Sequence, residues 1–303
     1  MVEPLVSIGM SSWNSAATIN SAINSIKSQE YSNWELIIID ANSSDATRNL
    51  ISEHQKSDAR IKSYFCEIQQ PWTKSTHQQL DMANGKFFMW LDPDDILSKN
   101  WLSTLIAKLS DDRFVCATGV LQLIDNNDNL VINNVSSGRN FAFTASRYRF
   151  FRIFGALLLP ESFGIVNFLY GLWSIDALRK MKLWSQDDET LTFDQEFVLN
   201  ALAMGPILYT SETVHYRRTH WSLLEVDNNI KVGSPKAYEV IRINPTSYLG
   251  ELLTIKPTFH LYRNWIRQEK LTATIYLTAI YFRRILSLAS PLVYRVRNFV
   301  RKN

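Results

Sequence analysis

Cysteine is scarce in this sequence, which contains only Cys66 and Cys116 among its 303 residues. Both lie inside apolar runs, and neither belongs to a short Cys-x-x-Cys spacing that binds metals or carries redox chemistry. We therefore predict no disulfide framework and no cysteine metal site, and expect both residues to be small members of the core. This use of cysteine fits a protein of a reducing compartment.

Long apolar runs and a strong excess of charge are also missing. No apolar stretch approaches the roughly 20 residues of a membrane-spanning helix, and the opening MVEPLVSIGM lacks the basic and apolar regions of a signal peptide. The 32 Lys and Arg residues nearly balance the 29 Asp and Glu residues, so no nucleic-acid partner is predicted. We expect a cytoplasmic protein, with peripheral association at the cytoplasmic membrane face left open.

Strand and helix patterns alternate over the first third of the chain. Its composition, 46% hydrophobic and 20% charged, is typical of a folded protein. Apolar runs predict strands at residues 5–10, 34–40, 61–67 and 86–92. Helices are predicted over 19–26 with Asn14 as its cap, from Asp45, and over 75–83 before a left-handed turn at Asn84-Gly85.

The second half of the sequence is less regular. A hairpin is predicted across residues 126–129, and residues 141–159 form an aromatic and basic segment. Further elements are predicted as helices over 174–182 and 193–204, a strand over 207–216, and helices from 259 to the end. The fold class predicted from this order is α/β, with a mainly parallel sheet and right-handed crossovers.

Acidic residues follow two of the predicted strands. Asp40 ends one, and Asp92, Asp94 and Asp95 follow the strand that ends at residue 92. Ligands of parallel sheets bind beyond the carboxyl ends of the strands. Three carboxylates so close together repel one another unless they share a cation, and oxygen ligands suit Mg²⁺ or Mn²⁺. An acidic turn that caps a helix beginning near Ser98 remains the alternative.

Several of these motifs, in this order, resemble family 2 glycosyltransferases. They are Trp13-Asn14, Ser28-Gln29, the strand closing at Asp40, Ser43-Ser44-Asp45 and the run ANGKFFMWLDPDD that ends at Asp95. The resemblance covers residues 4–105 well and residues 170–220 loosely. It implies a GT-A (Rossmann-like) fold, with a mainly parallel sheet flanked by helices and a C-terminal helical extension.

The resemblance also implies a division of the chain and of its donor-binding residues. Residues 1–220 would form the catalytic domain, with 1–105 binding the nucleotide sugar, 106–220 serving the acceptor and 221–303 as the helical extension. Asp40 would hydrogen-bond the nucleobase, Asp92 and Asp94 would hold the ribose and the metal region, and Asp94 and Asp95 would bind Mn²⁺ or Mg²⁺. The sequence departs from many relatives in having Ala41-Asn42 after Asp40, and in having His77 in the helix before the acidic strand, where relatives often have Asn.

The helix that begins at Phe193 resembles the family's Glu-Asp motif, with Phe193 in place of the Glu. The resemblance makes Asp194 the general base that takes the proton of the acceptor hydroxyl. Glu196 and Asp188 are the other candidates. A purely structural reading also remains open, because acidic residues favour the positive end of a helix.

Arg218-Thr219-His220 fits an Arg-x-His element of the same family. The resemblance implies that Arg218 and His220 bind the diphosphate of the donor, since Arg offers paired donors to phosphate oxygens. A solvated basic strand end is the alternative interpretation of this element, and it applies above all to Arg217.

The segment 272–300 combines aliphatic and aromatic residues with arginines, and Pro291 would divide its helix. This pattern favours a helix on an anionic membrane surface, with packing on the catalytic domain or a partner as the alternative.

The leading interpretation is an inverting transferase that uses a UDP-sugar in surface polysaccharide or glycolipid biosynthesis. Its acceptor would be carbohydrate, lipid-linked or protein, contacted by residues around 141–171. A retaining transferase is a variant of this hypothesis. A non-catalytic nucleotide-sugar-binding or scaffolding subunit is the contrasting one, motivated by Ala41 and Phe193.

Overall fold

One nine-stranded sheet organises the protein, whose computed structural model describes residues 3–132, 141–158, 165–181, 183 and 193–218. The strand order is β3-β2-β1-β4-β8-β6-β9-β5, and β7 pairs with β6. The strands are β1 Val6–Ser12, β2 Trp34–Asp40, β3 Ile61–Phe65, β4 Phe87–Trp90, β5 Ile96–Leu97, β6 Cys116–Ile124, β7 Leu130–Ile132, β8 Leu172–Ser174 and β9 Ile207–Arg218.

In the described ranges, seven α-helices connect and cover these strands. They are α1 Ile19–Lys27, α2 Thr47–Ser57, α3 Trp72–Met82, α4 Trp101–Lys108, α5 Arg149–Leu158, α6 Ile175–Lys180 and α7 Phe193–Met204. Two 3-10 helices lie at Ala142–Ala145 and Ile165–Tyr170. Within the described ranges, no helix is both long and apolar enough to cross a membrane. The predicted helices from residue 259, and the whole of 221–303, lie outside these ranges.

The first half of the sheet is parallel, as predicted. β1 pairs with β2 from Val6 opposite Trp34 to Ser12 opposite Asp40, and β1 also pairs in parallel with β4. All seven residues of β2 are buried, because helices cover both faces of a parallel sheet and its central strands can be apolar throughout.

The second half of the sheet is mixed. β8 runs antiparallel to both β4 and β6, β6 runs parallel to β9, and the two-residue strand β5 runs antiparallel to β9. The hairpin of β6 and β7 is confirmed. The predicted fold class, a mainly parallel sheet flanked by helices, is therefore confirmed for the described residues.

The core consists of two apolar layers, one on each face of the sheet. Successive residues of a strand point to opposite faces, so Met89 of β4 joins one layer while Phe88 and Trp90 join the other. Ile8, Ile23 and other residues of β1 and α1 complete the first layer. The second contains Trp173 and Phe197, whose rings meet edge to face 5.0 Å apart.

The prediction of a left-handed turn at Asn84-Gly85 is wrong. Neither residue has the positive φ that such a turn requires. Glycine is needed at position 85 because a Cβ there would lie 2.7 Å from the backbone oxygens of Leu5 and Phe87 and 2.7 Å from the backbone nitrogen of Ser7. The chain thus crosses β1 at a distance that only glycine permits.

Asn14 does not cap α1, which begins at Ile19 after Thr18. Instead Asn14 adopts a φ of 48° and joins two loops. Its side-chain Oδ1 accepts a hydrogen bond of 2.9 Å from the backbone N–H of Ser44, and its own N–H donates to Ser43 Oγ at 2.9 Å. The loops that follow β1 and β2 are therefore fastened to each other.

The two cysteines have different environments. Cys116 is fully buried in β6, as predicted, and burial raises the pKa of its thiol well above the usual value. Cys66 is partly exposed immediately after β3, so the prediction that it belongs to the core is wrong. The two residues lie in different parts of the sheet and share no disulfide.

Glu35 is a buried carboxylate in the middle of the parallel strands. It accepts hydrogen bonds from Ser7 Oγ at 2.7 Å, Asn84 N–H at 2.8 Å and Lys62 Nζ at 2.7 Å. Burial alone would raise its pKa, but the hydrogen bonds from Lys62, Ser7 and Asn84 outweigh burial and lower the pKa of Glu35 below 4.5.

We predict that Glu35→Gln lowers the free energy of unfolding at pH 7 by about 1.5–3 kcal/mol, the usual range for hydrogen bonds to a charged group. A carboxylate with a lowered folded-state pKa stabilises above its unfolded pKa, and this contribution disappears as the pH falls through the folded pKa. Urea unfolding should therefore show the difference between variant and wild type shrinking below about pH 4.5. The exposed Glu53→Gln is the control, and a difference independent of pH would contradict the prediction.

Candidate active site

The carboxyl ends of three parallel strands meet at one edge of the sheet. Ser12 ends β1 directly beside Asp40 at the end of β2. The chain leaving β4 stays beside β1, since Leu91 N–H donates to the carbonyl of Gly9 at 3.0 Å. This brings the loop of residues 92–95 to the edge where parallel α/β sheets bind ligands, as predicted.

Asp40 is completely buried, and its carboxylate accepts hydrogen bonds from four donors. Oδ1 accepts from Ser43 N–H at 3.0 Å and from Arg48 Nε at 2.7 Å, and Oδ2 accepts from Ser12 Oγ at 3.2 Å and from Ser43 Oγ. A carboxylate offers about four acceptor positions, so this set fills them. In this arrangement Asp40 orders the loop after β2. Its contact with a nucleobase stays a prediction.

Exposed aromatic side chains stand on both sides of Asp40. Trp13 follows β1 with 52% of its surface exposed, and Phe65 ends β3 with 41% exposed. The Arg48 guanidinium lies 5.6 Å from the Phe65 ring centre and also donates to the carbonyl of Cys66. Arg48 was not predicted, because its partner Asp40 is eight residues away and no local motif connects them.

Asp92 is the most strongly perturbed carboxyl group of this edge. Burial, followed by the negative charge of Asp95, raises its pKa from the usual 3.8 to about 7. A hydrogen bond from Tyr170 and the positive charge of Arg217 oppose that rise, and the charge of Asp94 adds to it. Additional positive charge at this place would therefore stabilise the ionised Asp92.

Asp95 is buried and fully engaged with other residues. Its Oδ2 lies 2.7 Å from Nε2 of His215, and its Oδ1 accepts the N–H of Arg218 at 2.9 Å. These contacts fix the acidic loop to β9. They do not support the prediction that Asp95 is a direct metal ligand, since an ion would have to displace them.

Arg218 is buried, and protein groups occupy its guanidinium. Nε donates to the carbonyl of Asp94 at 2.9 Å, and the two terminal nitrogens donate to the carbonyl of Asp125 and the carboxylate of Asp128. The side chain holds the β6–β7 turn against the acidic loop. Its contact with the diphosphate of a donor stays a prediction, and it would require Arg218 to exchange one of these partners.

The preceding residue, Arg217, also lies near the acidic residues of this edge. Its guanidinium is 5.6 Å from the ring centre of Tyr170. Burial opposes the charge of Arg217, but Tyr170, Asp92, Asp95 and Asp94 outweigh burial and raise its pKa above the usual value. The interpretation of Arg217 as a solvated strand end is wrong.

The acidic loop fits a divalent cation only in part. Asp92 and Asp94 are partly exposed and can face a ligand, whereas Asp95 cannot. Over the described residues, no three His, Cys, Asp or Glu side chains are grouped to hold a metal ion. Mg²⁺ is commonly bound by one or two carboxylates together with the phosphates of a substrate. Two carboxylates and a diphosphate would form such a site.

The predicted catalytic base lies on α7, whose bounds match the prediction from Phe193 to Met204. α7 packs on the second apolar layer through Phe197, Val198 and Leu202. The side chains of Asp194 and Glu196, like His220 and Asp188, lie outside the described part of the structure. Their predicted roles stay predictions.

Comparison with known proteins adds independent information. A family model described as Glycosyl transferase family 2 matches residues 7–168. The chain is 37% identical over 127 residues to the UDP-Glc:alpha-D-GlcNAc-diphosphoundecaprenol beta-1,3-glucosyltransferase WfgD of Escherichia coli, covering 42% of this chain and 49% of that protein. It is 35% identical over 109 residues to a GalNAc(5)-diNAcBac-PP-undecaprenol beta-1,3-glucosyltransferase of Campylobacter jejuni, covering 36% and 35%. The chain thus matches half or less of the length of these relatives.

Solved structures share the fold. S. aureus TarS 1-349 in complex with UDP-GlcNAc superposes with a TM-score of 0.54 at 16% identity, over 78% of this chain and 64% of that one. The mannosyltransferase PcManGT from Pyrobaculum calidifontis, in complex with GDP-Man and Mn²⁺, gives 0.55 at 11% identity, over 98% and 83%. At such identities the likeness demonstrates a common fold and does not assign the chemistry of individual residues.

Proposed function

The chain belongs to glycosyl transferase family 2, and on that premise we propose that it transfers a sugar from a UDP-sugar donor to an acceptor hydroxyl. The predicted GT-A type of fold is the fold it has. The observation that carries the proposal is the partly buried pair Asp92 and Asp94 at the carboxyl ends of β1, β2 and β4, with Arg217 beside it.

The donor would lie over the loops that follow the parallel strands. Its uridine would occupy the edge between Trp13 and Phe65, where the ring faces can stack on a base. Asp40 would act indirectly by holding Ser43 and Arg48 in place. UDP is preferred as the nucleotide because the WfgD relative is named for UDP-Glc and the TarS complex contains UDP-GlcNAc.

The diphosphate would lie against Asp92 and Asp94 through Mn²⁺ or Mg²⁺. Bound there, the cation would supply positive charge to the leaving diphosphate. Arg217 would add a permanent positive charge on the same side of the loop. Asp95 and Arg218 would keep the loop in position through β9 and the β6–β7 turn.

Transfer would proceed with inversion at the anomeric carbon. The acceptor oxygen forms a bond to this carbon as the bond to the diphosphate oxygen breaks, and UDP leaves with the bonding electrons. Asp194 at the start of α7 would take the acceptor proton. Approach of the acceptor from the face opposite the diphosphate produces the inversion.

The same proposal assigns the parts of the chain. Residues 1–105 would bind the donor, 106–220 would bind the acceptor and carry the base, and 221–303 would be a helical extension that can associate with a membrane. A lipid-linked acceptor is the preferred choice, because the two relatives are named for diphosphoundecaprenol and PP-undecaprenol substrates. The work would take place at the cytoplasmic membrane face, in surface polysaccharide or glycolipid synthesis.

Release of UDP from UDP-glucose and UDP-GlcNAc tests this proposal. We expect Mn²⁺-dependent release that a diphosphoundecaprenol-linked GlcNAc acceptor accelerates and that EDTA abolishes, because the diphosphate cannot leave readily without a neutralising charge. Binding of UDP and Mn²⁺ without turnover with carbohydrate, lipid-linked or protein acceptors would contradict it. That result would instead identify a nucleotide-sugar-binding subunit.

A further inference from the structure

Three large aromatic side chains are exposed together at the start of α5. Tyr148, Phe150 and Phe151 have 53%, 43% and 56% of their surfaces exposed. The ring of Phe150 stacks on that of Phe154 with centres 5.3 Å apart, and Phe151 meets Tyr148 edge to face at 6.1 Å. We call these four residues the aromatic surface of α5. Such clusters of exposed apolar groups mark interaction sites more often than isolated ones do.

The helix cannot turn this surface inward, because its other face is fixed. Ile153 and Ala156 are buried in the core. The buried Arg152 donates from Nε to the carbonyl of Leu202 on α7 at 2.7 Å and from Nη1 to the carbonyl of Ser146 at 2.8 Å. Gly155 lies so close to Phe143 that a Cβ would come within 2.5 Å of its ring. Within the described residues, the aromatic side chains are therefore held on the outer face of the helix.

The segment that contains this surface has charge of one sign in its sequence. Residues 129–160 contain no Asp or Glu but contain four arginines, of which Arg152 is buried. Arg147 is exposed, and its guanidinium lies 4.6 Å from the ring centre of Tyr148. Aromatic rings with adjacent arginines match the region between lipid headgroups and acyl chains, where the rings are buried and the guanidinium groups meet phosphates.

We propose that the aromatic surface of α5 docks on an anionic lipid bilayer. Phe150 and Phe151 would enter the boundary of headgroups and acyl chains, and Arg147 would contact lipid phosphates. A second copy of the chain is a poorer occupant. A two-fold contact places the same patch on both partners, so arginines would face arginines with no carboxylate from residues 129–160 between them.

The position of α5 gives this docking a consequence that rests on the proposed function. α5 packs against α7, the helix that begins with the proposed base Asp194. Docking through α5 would hold the acceptor half of the protein next to the bilayer, where a lipid-linked hydroxyl is presented. The binding of lipid itself does not depend on sugar transfer.

Sedimentation of the full chain with vesicles tests the proposal. The wild type should bind vesicles of phosphatidylglycerol and phosphatidylcholine and bind pure phosphatidylcholine weakly. The double change Phe150→Ser and Phe151→Ser should weaken binding by about tenfold or more, because it removes the two rings that would be buried in the bilayer. Arg147→Gln should weaken binding about fivefold and only to the anionic vesicles. Ile68→Ser, which removes an isolated apolar side chain with 75% exposure, is the matched control.

Each outcome decides the proposal. If the wild type binds neither kind of vesicle, or if the double variant binds like the wild type, the aromatic surface is not the lipid-binding site. The second result would point to another segment of the chain, such as 272–300. Loss of self-association in the double variant, with no vesicle binding by the wild type, would identify a contact between copies.

Two controls separate lipid binding from misfolding and from sugar transfer. Arg147 is exposed, so Arg147→Gln leaves the core intact, and its vesicle binding is informative even if the double variant does not fold. UDP release in solution is measured on the same variants without vesicles. Failure of sugar transfer would leave vesicle binding unaffected, and failure of vesicle binding would leave transfer unaffected, so the two proposals are tested separately.

Discussion

Asp194→Asn is expected to lower kcat for sugar transfer by about 10²–10⁴-fold, the usual contribution of a positioned general base. An amide has nearly the shape of the carboxylate but cannot take the proton of the acceptor hydroxyl at neutral pH. Binding of UDP and Mn²⁺ should stay as in the wild type, because Asp194 is not assigned to the donor. Steady-state release of UDP and calorimetric binding of UDP measure the two effects separately.

The neighbouring carboxylates provide the comparison for this change. Glu196 lies two residues after Asp194 in α7, and Asp188 precedes α7 in the sequence. The control variants are Glu196→Gln and Asp188→Asn. Both should retain most of the activity. Activity of Asp194→Asn near that of the wild type, together with a large loss in one of the other two variants, would move the base to that residue. Equal loss of donor binding and turnover would instead mean that Asp194 holds the donor.

The double change Asp92→Asn and Asp94→Asn is expected to remove the effect of Mn²⁺ on the melting temperature measured with UDP. The two neutral side chains no longer offer the charge that holds a divalent cation against the diphosphate. A ligand that binds only the folded state raises the melting temperature, so the wild type should show this stabilisation. UDP release should fall in parallel.

Two single changes show whether the Mn²⁺ effect depends on the carboxylates of Asp92 and Asp94 or on any loss of negative charge. Asp112→Asn removes one exposed carboxylate beyond α4 and should leave the Mn²⁺ effect intact. Asp95→Asn should lower the free energy of unfolding by about 1.5–3 kcal/mol, because it weakens hydrogen bonds of a charged group to His215 and Arg218. If Asp95→Asn abolished the Mn²⁺ effect at unchanged stability, the role of metal ligand would return to Asp95.

The parallel half of the fold could be predicted because it is local. β2 and β4 are mainly apolar runs, β1 alternates apolar and small residues, and each has a helix pattern beside it. β8 and β5 have only three and two residues, which is too short for a periodic pattern. Their pairing depends on β4, β6 and β9, so the antiparallel insertions in the sheet could not be read from the sequence.

The structure brings the predicted acidic residues to one edge of the sheet and gives several of them partners that the sequence does not show. A sequence shows that Asp40 and Asp95 are carboxylates, but not that Arg48 and His215 occupy them from other elements. The two arginines at the end of β9 illustrate the same difficulty. The motif does not show that Asp94, Asp125 and Asp128 occupy the guanidinium of Arg218. Nor does it show that Arg217 lies beside Tyr170, near the negative charge of Asp92.

Tyr170 gave no signal in the sequence. It belongs to a short 3-10 helix and reaches Asp92 only because β8, which follows it, lies beside β4. Contacts of this kind arise from the strand order, and a short motif contains no information about that order.

Titration calorimetry of UDP into the protein, with Mn²⁺ and then with EDTA, tests the central claim most directly. The account predicts a saturable heat with Mn²⁺, a much smaller one with EDTA, and no Mn²⁺-dependent heat in the protein with both Asp92→Asn and Asp94→Asn. Heats of equal size under all of these conditions would show that the acidic loop does not bind a nucleotide diphosphate through a cation.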